Sequence, residues 1–144
     1  MKKVSDILSR KGITIISITP ATSVLEALRI MADRNIGSVM ILDGSNFLGI
    51  MTERDYSRKV ILKGKSSTDT SVSEIMTAQY PRVYISDTVE HCMELMSTHN
   101  IRYLPVFEND LPIGIISVSD LVKATITGHE ETISQLKDYL HASM

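Results

Sequence analysis

GIMTERDY at residues 49–56 and GIISVSDL at residues 114–121 align residue for residue. Each runs glycine, two apolar residues, a hydroxyl, two variable positions and an aspartate. Thr52 with Asp55 and Ser117 with Asp120 are therefore the same small polar pair, delivered twice. Working outward, one constant shift of 65 pairs Val24 with Val89, Met31 with Met96, Asn35 with Asn100, Ile36 with Ile101 and Gly49 with Gly114, without a gap. A lead segment also recurs, VSDIL from Val4 to Leu8 and VSEIM from Val72 to Met76, at a shift of 68. Self-similarity at a fixed spacing is the mark of a repeat architecture, so the fold is to be read as two copies of one unit.

Within each copy the apolar period changes in a fixed order. Val24, Ala27, Leu28 and Met31 fall at i, i+3, i+4 and i+7, one face of a helix, and Val89, Cys92, Met93 and Met96 repeat it. VMIL (Val39 to Leu42) and LPVF (Leu104 to Phe107) are short apolar runs, followed by the turn formers DGSN and END and then by FLGIM and LPIGII. That order predicts strand, turn, strand. TERDYSRKVILK and SVSDLVKATI then return to a helical pattern. With ISIT (Ile16 to Thr19) and RVYI (Arg82 to Ile85) as entry strands, each unit is predicted as β-α-β-β-α. A unit of under about 60 residues buries too little surface to be comfortably stable alone. The expected α+β fold is therefore two such repeats packed through their sheets about a pseudo-twofold axis. Its parts are residues 1–68 as the first repeat with its N-terminal lead helix, 69–126 as the second, and 127–144 as a C-terminal amphipathic helix. Ile133, Leu136 and Leu140 form the apolar stripe of that helix, which either packs on its own domain or meets a second copy.

Composition excludes several classes. The chain has 144 residues, a mass of 16.0 kDa, 43% hydrophobic and 22% charged residues, the profile of an ordinary globular domain. No apolar run approaches the roughly 20 residues that span a bilayer. The start MKKVSDILSRKG lacks the apolar core of a secretory signal, and the single cysteine, Cys92, excludes an internal disulfide framework. A cytoplasmic, reducing compartment is expected. A net charge of −2 offers no general field for nucleic acid, although Arg54, Arg58, Lys59, Lys63 and Lys65 make one stretch locally basic. His91, His99, His129 and His141 lack the spacing of metal ligands, and no metal site is expected. Cys92 reads as a small core residue rather than a reactive thiol.

A hydroxyl followed three residues later by an acid at a helix start has two readings. As a capping box, the hydroxyl accepts from a first-turn amide and the acid reaches back to the amide of the cap residue. Ser23 and Glu26 show the same pattern one helix earlier, but their counterparts are Thr88 and His91, so there the acid is dispensable. As a binding site, an ionised aspartate accepts hydrogen bonds only, and its two oxygens match the adjacent hydroxyls of a ribose. The helix N-terminus suits a phosphate, Gly49 and Gly114 admit close backbone approach, and Ile50 and Ile115 offer apolar surface to a base.

The leads, NIGSVMILDGSNFLGIMTERDYSRKVILKG and NIRYLPVFENDLPIGIISVSDLVKA together resemble the tandem cystathionine-β-synthase (CBS) domain pair, or Bateman module, over nearly the whole chain. The resemblance implies a regulatory, non-catalytic module of the stand-alone type. It implies homodimers shaped as a flat disc, and clefts between the repeats that bind AMP, ADP, ATP or NAD. By the same resemblance Asp55 and Asp120 match the position that holds ribose, and Thr52 and Ser117 the neighbouring hydroxyl. Arg54 and Ser119 occupy the variable position beside them. Ile15 and Ile16 in one cleft, with Tyr80 and Pro81 in the other, match backbone around the adenine, where Ile50 and Ile115 are adjacent. Arg102 matches a basic position that reaches phosphates, and its counterpart is Gly37, which implies two unequal sites. Two rival readings stand beside this one. One is an enzyme using Asp55 and Asp120 as acid and base, disfavoured because each stands in its own copy without a perturbing partner. The other is a structural interaction module without a nucleotide ligand, in which both motifs are only caps. The regulated protein partner is not specified by the sequence.

Overall fold

The computed structural model describes residues 2–12, 15–126 and 136–141. Chain contacts divide it into two units, residues 15–80 and residues 1–14 with 81–144.

In the unit formed by residues 15–80, Ser23 starts helix α2 (Val24–Arg34) by accepting the Glu26 amide on its hydroxyl at 3.1 Å. Val24, Ala27 and Met31 are its buried face, and Asn35 ends it in the left-handed conformation with φ 55°. A short polar side chain tolerates that backbone better than most residues. The chain then forms a hairpin of β2 (Ser38–Asp43) and β3 (Asn46–Thr52), turned by Gly44 at φ 63°. Strand β1 (Ser17–Ile18) pairs with β2 in parallel, giving the order β1-β2-β3. Helix α3 (Glu53–Lys59) follows β3 directly, and a 3₁₀ turn at Ile61–Lys63 succeeds it. The single helix expected over TERDYSRKVILK is thus interrupted at Val60, whose φ of −116° departs from helical geometry.

The second unit repeats this plan. It contains β4 (Val83–Tyr84), α4 (Val89–His99), β5 (Tyr103–Glu108), β6 (Leu111–Ser117) and α5 (Val118–Ile126), with sheet order β4-β5-β6. Asn100 ends α4 at φ 53°, the counterpart of Asn35. The hairpin registers shift between Ile41 and Leu42 in one copy and between Val106 and Phe107 in the other, the same place under the 65-residue offset. Turn chemistry differs: Asn109 and Asp110 both take positive φ, the combination that suits a two-residue hairpin. Both entry strands are two residues long, shorter than the four expected from ISIT and RVYI.

The lead segments do not stay with the repeats they precede. Helix α1 (Val4–Lys11) buries Val4, Ile7 and Leu8 against Val83, Val89, Cys92, Leu104 and Leu121 of the second repeat. Val72 and Ile75 of the second lead join Val24, Ala27, Val39 and Met51 of the first repeat. The linear division at residue 68 places the first lead with the first repeat, whereas its apolar face belongs to the core of the other. The second lead forms only a 3₁₀ turn, Val72–Glu74, although its sequence matches the first. Thr77 is the cause: it exchanges two backbone hydrogen bonds of 3.0 Å with Ile50, which draws the chain into extended pairing. At the C-terminus, residues 136–141 are helical, and Leu136 is buried. Leu136, Tyr139 and Leu140 close a cavity of about 30 Å³ with Met93, Met96 and Leu121, so this segment packs on its own unit. Ile133 lies outside the described residues.

Candidate ligand site at the helix starts

Both hydroxyl–aspartate motifs form closed capping boxes. At α3, Thr52 Oγ1 accepts the Asp55 amide at 3.1 Å, while the Thr52 amide donates to Asp55 Oδ2 at 2.9 Å. At α5, Ser117 Oγ accepts the Asp120 amide at 3.2 Å and the Ser117 amide donates to Asp120 Oδ2 at 2.8 Å. The strands β3 and β6 deliver the hydroxyl at their last residue, so sheet and helix meet at the cap.

Beyond the caps the two carboxylates differ. Asp55 is buried and also receives Thr52 Oγ1 at 3.1 Å, Lys59 Nζ at 2.9 Å and Thr77 Oγ1 at 3.4 Å. Lys59 donates further to the Ile75 carbonyl at 2.9 Å. An ionised carboxylate has about four acceptor positions, and at Asp55 three hydrogen bonds and the Lys59 ion pair occupy them. Asp120 is only partly buried and takes one donor besides the cap, Lys11 Nζ at 2.8 Å, on the same Oδ2. Among the described residues no donor reaches its Oδ1. Lys11 also donates to the Ile115 carbonyl at 2.7 Å. Asp120 lines an open groove of about 440 Å³ together with Arg10, Lys11, Lys123 and the apolar Ile7 and Ala124.

The glycines diverge in the same way. A Cβ at Gly49 would stand 2.7 Å from the Thr77 carbonyl oxygen, so the pairing of Ile50 with Thr77 requires glycine there. A Cβ at Gly114 would meet only Leu8 Cδ2 at 3.8 Å, an ordinary contact. Ile50 is fully buried and Ile115 partly exposed, so the apolar surface expected at both is covered at Ile50 and open at Ile115. Ile15 is exposed, and Ile16 gives its carbonyl to the Met40 amide at 3.2 Å beside the first core. Tyr80 and Pro81, both partly buried, fall in different units. Arg54 and Ser119 are exposed. Arg102 lines the small cavity with Tyr139 rather than the Asp120 groove, and its carbonyl accepts the Val118 amide at 3.0 Å.

Sequence reasoning missed the two lysines. Lys59 lies four residues after Asp55, a spacing that signals an ion pair on a helix. Lys11 is 109 residues from Asp120 and carries no local signal. Cys92 is fully buried, and desolvation, with smaller contributions from Asp87 and Glu90, pushes its thiol up to about 12. Among the described residues no group of three or more His, Cys, Asp or Glu side chains is placed to hold a metal ion.

The family model for the CBS domain matches residues 4–61 and 72–126. The chain belongs to the CBS domain family. A mitochondrial CBS domain-containing protein of Arabidopsis thaliana, CBSX3, is 31% identical over 95% of this chain and 71% of its own length. The chain spans about a fifth of some longer plant relatives that it also matches, at 22% of their length. A putative signal-transduction protein with CBS domains from Burkholderia ambifaria has a solved structure that is 42% identical, with a TM-score of 0.85 over 90% of this chain and 97% of that one. The CBS domain pair of protein MJ0100, solved in complex with 5′-methylthioadenosine and S-adenosyl-L-methionine, is 27% identical, with a TM-score of 0.74 over 85% of this chain and 98% of that one. CBS pairs of this kind are regulatory modules, and the two three-stranded sheets with their helices are the α+β repeats of such a pair. No helix among the described residues is long and apolar enough to cross a membrane.

Proposed function

We propose that this CBS pair is a non-catalytic sensor of an adenosine-containing ligand, AMP, ADP, ATP or NAD, whose ribose diol is held by Asp120. The supporting observation is the half-satisfied carboxylate: Oδ1 of Asp120 takes no donor among the described residues, and the side chain lines a groove of about 440 Å³. That volume lies within the usual range of small-molecule sites, about 300–1,000 Å³. Ser117 and Ser119 flank the diol and Ile115 supplies apolar surface for the base, with Pro81 in the same unit. The MJ0100 pair, which binds adenosine compounds, lends the ligand class to this reading. In the first repeat Ile15, Ile16, Ile50, Thr52, Arg54 and Asp55 occupy the corresponding positions, and the saturation of Asp55 makes that site the weaker of the two. Ligand binding shifts contacts with a regulated protein partner in a cytoplasmic homodimer.

A thermal-shift panel of AMP, ADP, ATP, NAD, S-adenosylmethionine and GTP tests the reading. Ligand at about 100 times its Kd stabilises the native state by about 2.7 kcal/mol, which raises Tm by several degrees. Asp120→Ala is expected to lose about 1.5–3 kcal/mol of binding, the contribution of hydrogen bonds to a charged group. A variant that melts lower yet binds unchanged would leave Asp120 as a cap only. That outcome favours the structural interaction module.

A further inference from the structure

Among the described residues, three cations border the groove beside Asp120, on a chain whose net charge is −2. Arg10 and Lys11 end α1, and Lys123 lies in the last turn of α5. A cation complements the negative end of a helix, which accounts for part of this charge. Among the described residues the ledger still leaves an excess: two helix ends carry roughly half a negative charge each, Asp120 carries one, and the three cations outweigh them by about one unit. Lys11 is committed to Asp120 and to the Ile115 carbonyl. Arg10 spends one Nη1 hydrogen bond of 3.3 Å on the Lys123 carbonyl, and its fork has five N–H donors in all. Among the described residues the Lys123 ammonium makes no hydrogen bond or ion pair.

Resting on the ribose reading of Asp120, we propose that Arg10, Lys11 and Lys123 select the ligand by charge. The site takes an adenosine compound bearing one or two phosphates and discriminates against neutral and cationic analogues. A diol on Asp120 leaves the 5′ substituent to lie along the groove toward these side chains. Phosphate there relieves the mutual repulsion of three cations and offers the bidentate acceptor that a guanidinium fork matches. The sulfonium of S-adenosylmethionine would meet those cations with like charge, and 5′-methylthioadenosine would leave them unanswered. In charge preference this groove therefore parts from the ligands found in the MJ0100 pair.

Titration calorimetry of the full chain with adenosine, 5′-methylthioadenosine, S-adenosylmethionine, AMP and ADP decides the point, repeated for Asp120→Ala and for the double variant Arg10→Ala with Lys123→Ala. AMP or ADP is expected to bind at least about tenfold more tightly than adenosine, as several partly exposed charge pairs together supply. The double variant should bring the phosphorylated ligand down to the affinity of adenosine. Its thermal melt without ligand controls for folding. If adenosine, 5′-methylthioadenosine or S-adenosylmethionine binds as tightly as AMP while Asp120→Ala abolishes binding, charge selection is overturned and the ribose site stands. The same holds if the double variant leaves AMP affinity intact. If no adenosine compound binds the wild-type chain, the ribose reading falls and charge selection with it.

Discussion

Three hydrogen bonds and an ion pair converge on the carboxylate of Asp55, from the Thr52 amide, the Thr52 and Thr77 hydroxyls and the Lys59 ammonium. Asp120 receives two, both on one oxygen. The same residue in the same motif is in one copy a finished structural joint and in the other a joint with acceptor capacity to spare. Asp55→Ala removes a cap and leaves Lys59 without its counter-ion and Thr77 without its acceptor, so a loss of about 2–4 kcal/mol is expected. In thermal melts this appears as a drop of roughly 6–12 °C, while nucleotide affinity at Asp120, measured by calorimetry on the folded variant, should stay within about twofold. The motif itself was legible from the sequence because hydroxyl and acid sit three residues apart. What fills each carboxylate was legible only for Lys59, one helical turn away; Lys11 and Thr77 arrive from segments whose docking no local pattern encodes.

Elements show the same split between what recurs and what context imposes. Helix faces, hairpin registers and left-handed asparagines follow from periodicity and composition, and the two copies agree on them. The leads do not agree: Val4–Lys11 is a helix, while Val72–Glu74 is a single 3₁₀ turn, because strand β3 captures Thr77 immediately afterwards. No property of VSEIM alone distinguishes it from VSDIL in this respect, so tertiary pairing decides. The close approach of Thr77 to β3 yields a paired prediction at the two glycines. Gly49→Ala forces a Cβ against a backbone carbonyl at 2.7 Å, and a destabilisation of about 1–3 kcal/mol is expected from overpacking. Gly114→Ala meets only an ordinary contact, so its urea midpoint should lie near that of the wild type. Equal losses at both positions would show that Gly114 is constrained as Gly49 is.

At the scale of the whole molecule, Cys92 reports on the core that α1 completes. Its thiol titrates near 12 rather than the ordinary 9.0, so at pH 8 the folded chain holds about a thousandfold less thiolate than the unfolded chain. Iodoacetamide labelling at pH 8 should therefore be slow in buffer and fast in denaturing urea. The sign of the pH effect follows from the same shift. Between pH 9 and about 12 the unfolded thiol loses its proton first, so the stability contributed by burying the neutral thiol is present below about pH 9 and is lost as pH rises. Wild-type protein should lose more stability between pH 8 and pH 10.5 than Cys92→Ala does, when both are followed by urea unfolding. The exchanged leads carry a consequence for how such a chain is inherited and engineered. Cutting it at the seam between its two copies would give each fragment a strip of someone else's interior and deprive it of its own. Duplication, shuffling or fusion must therefore move the pair as a single cassette, and a split version should work only when both pieces are supplied together.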